Sequence, residues 1–346
     1  MQKLILLLAI SCIASYQSVT AATTDPIGYV NWDIAAGTGL TRTVTVLSVP
    51  LLDTTAIDGA ATGKITGVTS NSITASGAGW TAGQLSEDAT PYLIRITTGL
   101  AEGRTFLISS SVANTSTTVT LDSNDSAQVD LTTLGIVTAP GSEDNYKIIP
   151  CDTLSSIFGT PTDTGVLGGP SSDSADIIFL NDNGSWKKYF YNTALSRWTR
   201  IFPGYPDSSN VEIRPDSAIM YSRLGDTALA LTVVGSVPME NRQSLIKNSG
   251  VTFLANSWPV DTTLATTNLQ NTTGWVSNAN SANADQVLIL VNNSWRKYWH
   301  DGSNWRRIFP GFPISDSQSV SATSGLLIGK LGSASGNELL TQTKPY

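Results

Sequence analysis

The apolar residues of the chain occur in short runs with alternating polar positions, which is the pattern of β-strands. Glycine, serine, threonine and asparagine separate these runs, and they favour turns because they relax the backbone or bond to it at corners. Charged residues make up only 14% of the sequence. The pattern predicts an all-β fold of short strands joined by tight turns.

The clearest internal similarity pairs residues 175–206 with residues 284–313. Both segments contain Ser-Trp-basic-Lys-Tyr followed by Arg-Ile-Phe-Pro-Gly. The copies differ by two residues in the connection between these motifs, at 192–197 against 301–304. A hairpin tolerates a change of length at that point, so the sequence predicts a duplicated β-hairpin.

The similarity extends in both directions and predicts two tandem β-sandwich-like modules. Module one spans residues 25–225, module two spans residues 226–332, and a loosely ordered tail is expected at 333–346. Residues 53–146 interrupt the first module with strand-like segments of their own, so we interpret them as an inserted small β domain. The strands expected in this insert are Lys64–Val68, Ser72–Ala75, Tyr92–Ile96, Thr105–Ile108 and Thr117–Leu121.

Residues 1–22 have the pattern of a secretory signal peptide. Lys3 supplies a positive charge, an apolar run extends from Leu4 to Ala14, and small residues at Val19–Ala21 suit a cleavage site. In an alternative interpretation, a lipoprotein signal leaves Cys12 as a lipid-bearing first residue. No apolar run approaches the roughly 20 residues of a transmembrane helix. The sequence therefore predicts an extracytoplasmic protein, in the periplasm, on the surface or secreted, without a transmembrane helix.

The charge balance bears on partners and the cysteines bear on stability. The chain has 27 acidic and 20 basic residues, which argues against nucleic acid as a partner because such binding needs a basic face. Once residues 1–22 are removed, Cys151 is the only cysteine, and no intramolecular disulfide can form. Cys151 follows an apolar strand, so we expect it to be buried and inert.

Several segments resemble an uncharacterised family of exported proteins from Verrucomicrobia and related bacteria. They are Asp25–Val30, Leu47–Leu52, the stretch from Ile94 to Phe106, and Tyr146–Pro150. These motifs are strand cores and turns, and the resemblance covers most of the chain after residues 1–22. The resemblance implies an exported protein, and the family has no assigned activity or catalytic residues to carry over.

The sequence gives little sign of catalysis. His300 is the single histidine, without a nucleophile motif and without the usual set of zinc ligands. Asp176 and Asp285 recur at the start of equivalent strands and could be the paired carboxylates of a polysaccharide-active enzyme. Because they recur in both copies, we expect them to cap the preceding turn instead. We expect no catalytic residues, no cofactor and no metal.

The duplicated hairpins concentrate aromatic and basic residues and leave two interpretations open. In the first, the rings pack within the sandwich, and Trp186 and Trp295 are large buried rings. In the second, exposed rings form a platform for sugar rings or a protein partner, because flat amphipathic rings give a large contact at a small entropic cost. The residues of this candidate ligand platform are Trp186, Tyr189, Trp198, Trp295, Tyr298 and Trp305.

Together these features predict an exported, non-enzymatic structural or adhesive protein of the cell envelope or surface. A carbohydrate-binding accessory protein is the alternative, and a polysaccharide-active enzyme is a third hypothesis. The expected partners are cell-surface polysaccharide or envelope proteins.

Overall fold

The computed structural model describes residues 26–182 and 185–346, and strands dominate this part of the chain. The predicted signal peptide and Cys12 lie outside the described residues. The strands before and within the insert are β1 (Ile27–Ile34), β2 (Thr43–Leu47), β3 (Thr62–Lys64), β4 (Gly67–Val68), β5 (Ser72–Thr74), β6 (Tyr92–Ile96), β7 (Thr105–Leu107), β8 (Thr118–Thr120) and β9 (Asn145–Pro150). Those that follow are β10 (Ile177–Asp182), β11 (Ser185–Asn192), β12 (Arg197–Arg200), β13 (Ile219–Arg223), β14 (Leu229–Ser236), β15 (Arg242–Lys247), β16 (Gly250–Ala255), β17 (Thr262–Thr263), β18 (Gln286–Val291), β19 (Ser294–His300), β20 (Trp305–Arg307), β21 (Ser319–Val320), β22 (Gly325–Lys330) and β23 (Asn337–Gln342).

The helical segments are short. They are α1 (Ser123–Ser126), α2 (Leu154–Phe158) and α3 (Pro161–Thr164), with 3-10 turns at Gln84–Ser86, Leu131–Thr133, Ser172–Ser174, Leu264–Thr267, Leu269–Asn271 and Ser281–Asn283. None of these described helices is long and apolar enough to cross a membrane. The predicted all-β fold class is confirmed.

The first module is built on a five-stranded antiparallel sheet, here called sheet one, with the order β12-β11-β10-β13-β2. A two-stranded ribbon of β1 and β14 covers its inner face, and α2 closes the layer. Ile178 pairs with Tyr189 on one side and Tyr221 on the other, and all three are buried in the core. The alternation of β14 buries every second residue, because only one face of the ribbon meets the sheet.

Sheet two, in the second module, has the order β16-β22-β18-β19-β20, and a ribbon of β15 and β23 lies beside it. The hairpin strands β18, β19 and β20 hold the same places as β10, β11 and β12. Val287 pairs with Tyr298 and Ile328, which repeats the buried row of sheet one. The division of the chain into two modules remains a prediction, and this matching strand order favours it.

Two boundaries drawn from the sequence are wrong. Residues 226–236, assigned to module two, contain β14, which pairs along its whole length with β1 of module one. Residues 333–346, expected to be loosely ordered, contain β23, which pairs with β15. Leu340 of β23 is fully buried in the core of the second module, and this anchors the tail.

The insert forms two small sheets, ordered β3-β9-β6-β7 and β4-β5-β8. Four of the predicted strands match β5, β6, β7 and β8, but the predicted strand Lys64–Val68 is wrong, because β3 ends at Lys64 and β4 begins at Gly67 in the other sheet. Ile73, Ile94 and Val119 lie in the core of the insert. The predicted boundary at Tyr146 cuts through β9, which continues to Pro150 because its apolar residues extend the sheet to that point.

The insert touches both modules. Leu52 of module one packs with Leu93 and Leu107 of the insert. On the other side, the amide of Gln243 in β15 donates to the carbonyl of Gly103 at 3.4 Å. The outer faces of sheets one and two meet at a buried cluster of Val46, Ala218 and Phe253.

Candidate functional site

The recurring aspartates form buried ion pairs in both modules. The Asp176 carboxylate accepts from the Arg223 guanidinium at 2.6 Å, from the Tyr221 hydroxyl at 2.7 Å and from the backbone amide of Leu167 at 2.9 Å. Burial, with the nearby Asp176 carboxylate as a second cause, raises the pKa of Tyr221 well above its ordinary value.

Asp285 repeats this arrangement with a different cation. Its carboxylate contacts the Lys330 ammonium at 2.8 Å and accepts from the amides of Val276 at 2.8 Å and Leu331 at 2.8 Å. Each aspartate therefore binds the loop before its own strand, as predicted, and also a cation on the adjacent strand, β13 or β22. The fold accounts for the recurrence of both carboxylates.

His300 forms hydrogen bonds with loop residues of the second module. Its Nδ1 lies 2.9 Å from the Ser277 hydroxyl and accepts from the amide of Gly302 at 3.3 Å. The backbone amide of Gly302 can only donate, so Nδ1 acts as an acceptor in this contact. The ring also packs edge-on against Trp305, with centroids 5.6 Å apart.

Four of the six predicted platform residues lie in the two cores. Tyr189 and Trp198 are buried in the first core, and Tyr298 and Trp305 are buried in the second. The indole of Trp198 donates to the carbonyl of Gly159 at 2.8 Å. The platform prediction is wrong for these residues and the packing interpretation is right, because the strands turn this face toward the ribbon.

Trp186 and Trp295 show the opposite behaviour. They occupy equivalent places on β11 and β19, and they are 36% and 38% exposed. Trp186 packs edge-on against Phe253 of sheet two, with ring centroids 4.4 Å apart. The expectation that these two tryptophans are large buried rings is wrong, because strand alternation places them on the outer face of the sheet.

A lysine and a second ring complete the same outer face. The Lys188 ammonium lies 5.4 Å from the centroid of the Phe179 ring, its neighbour on β10. Phe190, two residues further along β11, is fully buried and has Tyr205 edge-on against it at 5.8 Å. In the second module Phe312 packs against Trp299 in the same way, at 5.4 Å. We define the outer hairpin surfaces as Trp186, Lys188 and Tyr205 in module one, and Trp295, Lys297 and Phe312 in module two.

The exposed rings at the ends of these surfaces lie in a turn of unusual backbone geometry, at residues 200–206 and 307–313. Tyr205 and Phe312 both have φ of 45°, in the left-handed region that bulky residues seldom adopt. The amide of each donates back to the carbonyl three residues earlier, at 3.0 Å in the first copy and 2.8 Å in the second. Tyr205 is 41% and Phe312 51% exposed. We call these segments the aromatic turns.

Arginines support both aromatic turns. Arg200 lies over the exposed ring of Phe202 at 5.0 Å, and Arg307 lies over Phe309 at 4.6 Å. In the first turn, the guanidinium of Arg197 also donates to the backbone carbonyl of Tyr205, at 3.3 Å.

In the second turn this donor is Arg306, which bonds to the Phe312 carbonyl at 3.0 Å. Arg306 aligns with Thr199 and not with Arg197, so the equivalent carbonyl is bound by arginines from different positions in the two copies.

Sequence reasoning placed no site at these turns. The repeated Gly-aromatic-Pro triplet, which matches in both copies, was the signal that could have revealed them.

A cleft of about 160 Å³ lies where the insert and both modules meet. Its lining includes Arg214, which bonds to the Asp125 carboxylate at 2.8 Å and so joins module one to the insert. Among the described residues, no group of three or more His, Cys, Asp or Glu side chains could hold a metal ion.

Two titratable groups lie at the start of the segment that leaves the insert. Cys151 is buried, as expected, and burial raises the pKa of its thiol, which disfavours the reactive thiolate. Burial, with Asp53 as a second cause, raises the pKa of Asp152 to about 7. Asp53 and Asp152 stand on the two chain segments that connect the insert to module one.

Comparison of the chain with protein-family models, curated proteins and solved structures finds no match.

Proposed function

We propose that this chain is an exported, non-enzymatic adhesive protein of the cell envelope or surface, and that its two outer hairpin surfaces make the adhesive contacts. The observation that carries the proposal is the recurrence of an exposed aromatic residue in a left-handed turn, at Tyr205 and Phe312. Export is supported by the composition of residues 1–22 and by the resemblance to exported proteins of Verrucomicrobia.

The backbone of the aromatic turns argues for a role beyond folding. A bulky residue at φ of 45° costs about 1 to 2 kcal/mol relative to an ordinary conformation. A glycine would adopt this conformation without that cost. Burial of each ring offsets only part of this cost, because Tyr205 and Phe312 leave much of their surface in solvent. A ring kept at a strained and exposed position in both copies is typical of a contact residue.

The buried recurring residues have a different explanation. Asp176, Asp285 and the four core aromatics recur because each sheet needs the same internal bonds and the same packing. Packing against Phe253 accounts for one side of Trp186, but packing does not require the exposed lysine two residues further along that recurs in both hairpins. Adhesion to a partner would use these side chains, because aromatic rings and cations dominate many binding surfaces.

A carbohydrate-binding accessory protein is the second candidate. The partial exposure of Trp186 and Trp295 favours it, since an indole face on a strand can stack against a sugar ring. This candidate and the adhesive protein use the same surfaces and differ in whether the chain acts alone or serves an enzyme.

The test measures binding of the chain without residues 1–22 to insoluble polysaccharides and to cell-envelope preparations. We expect the quadruple variant Trp186→Ala, Trp295→Ala, Tyr205→Gly and Phe312→Gly to lose at least tenfold in retained protein. The control is Tyr29→Ala, which removes an exposed ring from β1, outside both surfaces.

Both proteins are first compared by thermal unfolding, so that loss of binding is read only from folded chains. If the quadruple variant is retained as well as Tyr29→Ala on every preparation that holds the wild-type chain, the outer hairpin surfaces are not the adhesive contacts.

A further inference from the structure

We infer that the outer hairpin surfaces recognise an acidic polysaccharide, an inference that rests on the proposed adhesive function and names its ligand class. The two surfaces combine ring faces with cations in a chain that is otherwise acidic. Ring faces suit the apolar side of a sugar, and cations suit a carboxylate or sulfate group on it.

Charge is distributed unevenly along the sequence. Residues 185–200 contain four basic and no acidic residues, and residues 294–307 contain four basic residues and one acidic residue. These segments carry net charges of +4 and +3 in a chain whose net charge is −7. Each complete hairpin, residues 175–206 or 284–313, has four basic and two acidic residues and so a net charge of +2, which favours anionic partners near it.

Part of this positive charge remains available to a ligand. Lys187 pairs with Asp182, and Arg306 pairs with Asp301. Lys188 instead lies over the ring of Phe179 on the outer face. Arg200 and Arg307 pair with Tyr189 and Tyr298, so they lie on the opposite face and do not belong to the outer hairpin surfaces. A ring face attracts a cation without neutralising it, so Lys188 can still bind an anion.

The spacing of the surface suits a chain of sugars. Trp186 and Lys188 are two residues apart on one face of β11, a separation of about 7 Å, and Phe190 with Tyr205 lies the same distance further along. The order ring, cation, ring repeats in module two with Trp295, Lys297 and Phe312. A polymer that contacts both surfaces at once would bind more tightly than a short oligosaccharide, because the second contact is intramolecular.

Nucleic acid is the competing polyanion. Duplex DNA carries one negative charge per roughly 1.7 Å of its axis. The acidic remainder of this chain would repel such a dense charge more strongly than it repels a polysaccharide with at most one acidic group on each sugar. The charge pattern therefore favours the polysaccharide.

The experiment uses polygalacturonate and its methyl ester, which share one sugar backbone and differ in charge. Affinity electrophoresis of the chain without residues 1–22 should show binding to polygalacturonate at least tenfold tighter than to the ester. The variant Lys188→Gln with Lys297→Gln should lose at least tenfold for polygalacturonate. The control Lys64→Gln with Lys344→Gln removes the same charge from exposed lysines elsewhere and should change the affinity less than twofold.

Three results would overturn the inference: equal binding to the two polymers, an equal loss in the two lysine variants, or tighter binding to a single-stranded DNA homopolymer than to polygalacturonate. If the chain binds neutral polysaccharide or envelope preparations through its tryptophans but does not bind polygalacturonate, the ligand class is wrong and the adhesive function stands. If it binds none of these materials, both proposals fail.

Discussion

The guanidinium of Arg223, the last residue of β13, lies 2.6 Å from the carboxylate of Asp176, just before β10, and both side chains are buried. Breaking a buried ion pair by removing one partner leaves an uncompensated charge in the interior. The pair therefore makes the fold of the first module depend on a single carboxylate.

We expect Asp176→Ala to lower the free energy of unfolding by about 3 to 5 kcal/mol, because Arg223 and Tyr221 lose their common acceptor. Asp173→Ala is the matched control, since Asp173 is exposed three residues earlier, and it should change stability by less than about 0.5 kcal/mol. Urea unfolding of both variants measures these free energies, and similar losses of stability would show that the buried ion pair stabilises the fold no more than an exposed aspartate does.

The two tryptophans of the first hairpin should respond differently to truncation. Trp198→Ala should cost about 3 to 5 kcal/mol, because it leaves a cavity in the first core. Trp186→Ala should cost about 1 to 2 kcal/mol, because that ring is partly exposed and contacts Phe253 on one side. Thermal or urea unfolding measures both, and a larger loss for Trp186 would contradict the assignment of faces.

Stability should depend on pH through Asp152. Its pKa of about 7 in the folded chain is above its ordinary value of 3.8, so the folded state favours the protonated carboxyl. This stabilisation is fully present below pH 3.8 and is lost as the pH rises through 7.

Asp152→Asn should therefore raise the melting temperature relative to wild type at pH 8, with a smaller difference at pH 5. Asparagine keeps an oxygen that can accept from the Ser156 hydroxyl. Asp173→Asn serves as the exposed control. A difference between Asp152→Asn and wild type that stays constant from pH 5 to pH 8 would show that burial does not perturb this carboxyl.

Docking of the insert onto module two should depend on Gly103. A Cβ atom at this position would overlap the carbonyl oxygen of Asn241, and φ is 88°. Gly141 has φ of 89° with nothing within 4 Å of its Cβ position. Both alanine variants share the backbone strain of about 1 kcal/mol. Gly103→Ala should lower the free energy of unfolding clearly more than Gly141→Ala in urea unfolding. Equal losses would mean that the Asn241 backbone moves away from the new Cβ atom without loss of stability.

The insert should fold when separated from the modules, because it has a core of its own. A chain of residues 54–151 should unfold cooperatively on heating and show a β-sheet circular dichroism spectrum. Its weak point is the face formed by Leu93 and Leu107, which Leu52 covers in the full chain. Gradual unfolding without a transition would show that the insert depends on module one.

The sequence was informative where the relevant contacts are local. Strands of the insert follow from apolar alternation, and the capping role of Asp176 and Asp285 follows from their recurrence before equivalent strands. The pairing of β1 with β14 could not be read this way, because single-sequence patterns carry no information about partners some two hundred residues apart.

The candidate surface shows a second limit. Strand alternation separates Trp186 from Tyr189 on β11 but does not say which face meets the core, because both faces carry aromatic rings. The ribbon of β1 and β14 decides this, since it covers the face of Tyr189. The aromatic turns were missed because their meaning lies in the left-handed backbone at Tyr205 and Phe312, which the residue types alone do not specify.

The pairing of Ile27 with Ser236 sets an order of events during synthesis. A ribosome adds about 5 to 20 residues per second, so β14 follows β1 by roughly 10 to 40 s. The insert can fold in that interval, because its strands pair over shorter distances along the chain. During the same interval the backbone hydrogen-bonding groups on both edges of β1 are unpaired, because β14 has not been made. Open edges invite pairing with other chains. Newly made molecules are therefore most prone to aggregate before β14 emerges, and slowing translation beyond the insert should lengthen this vulnerable period.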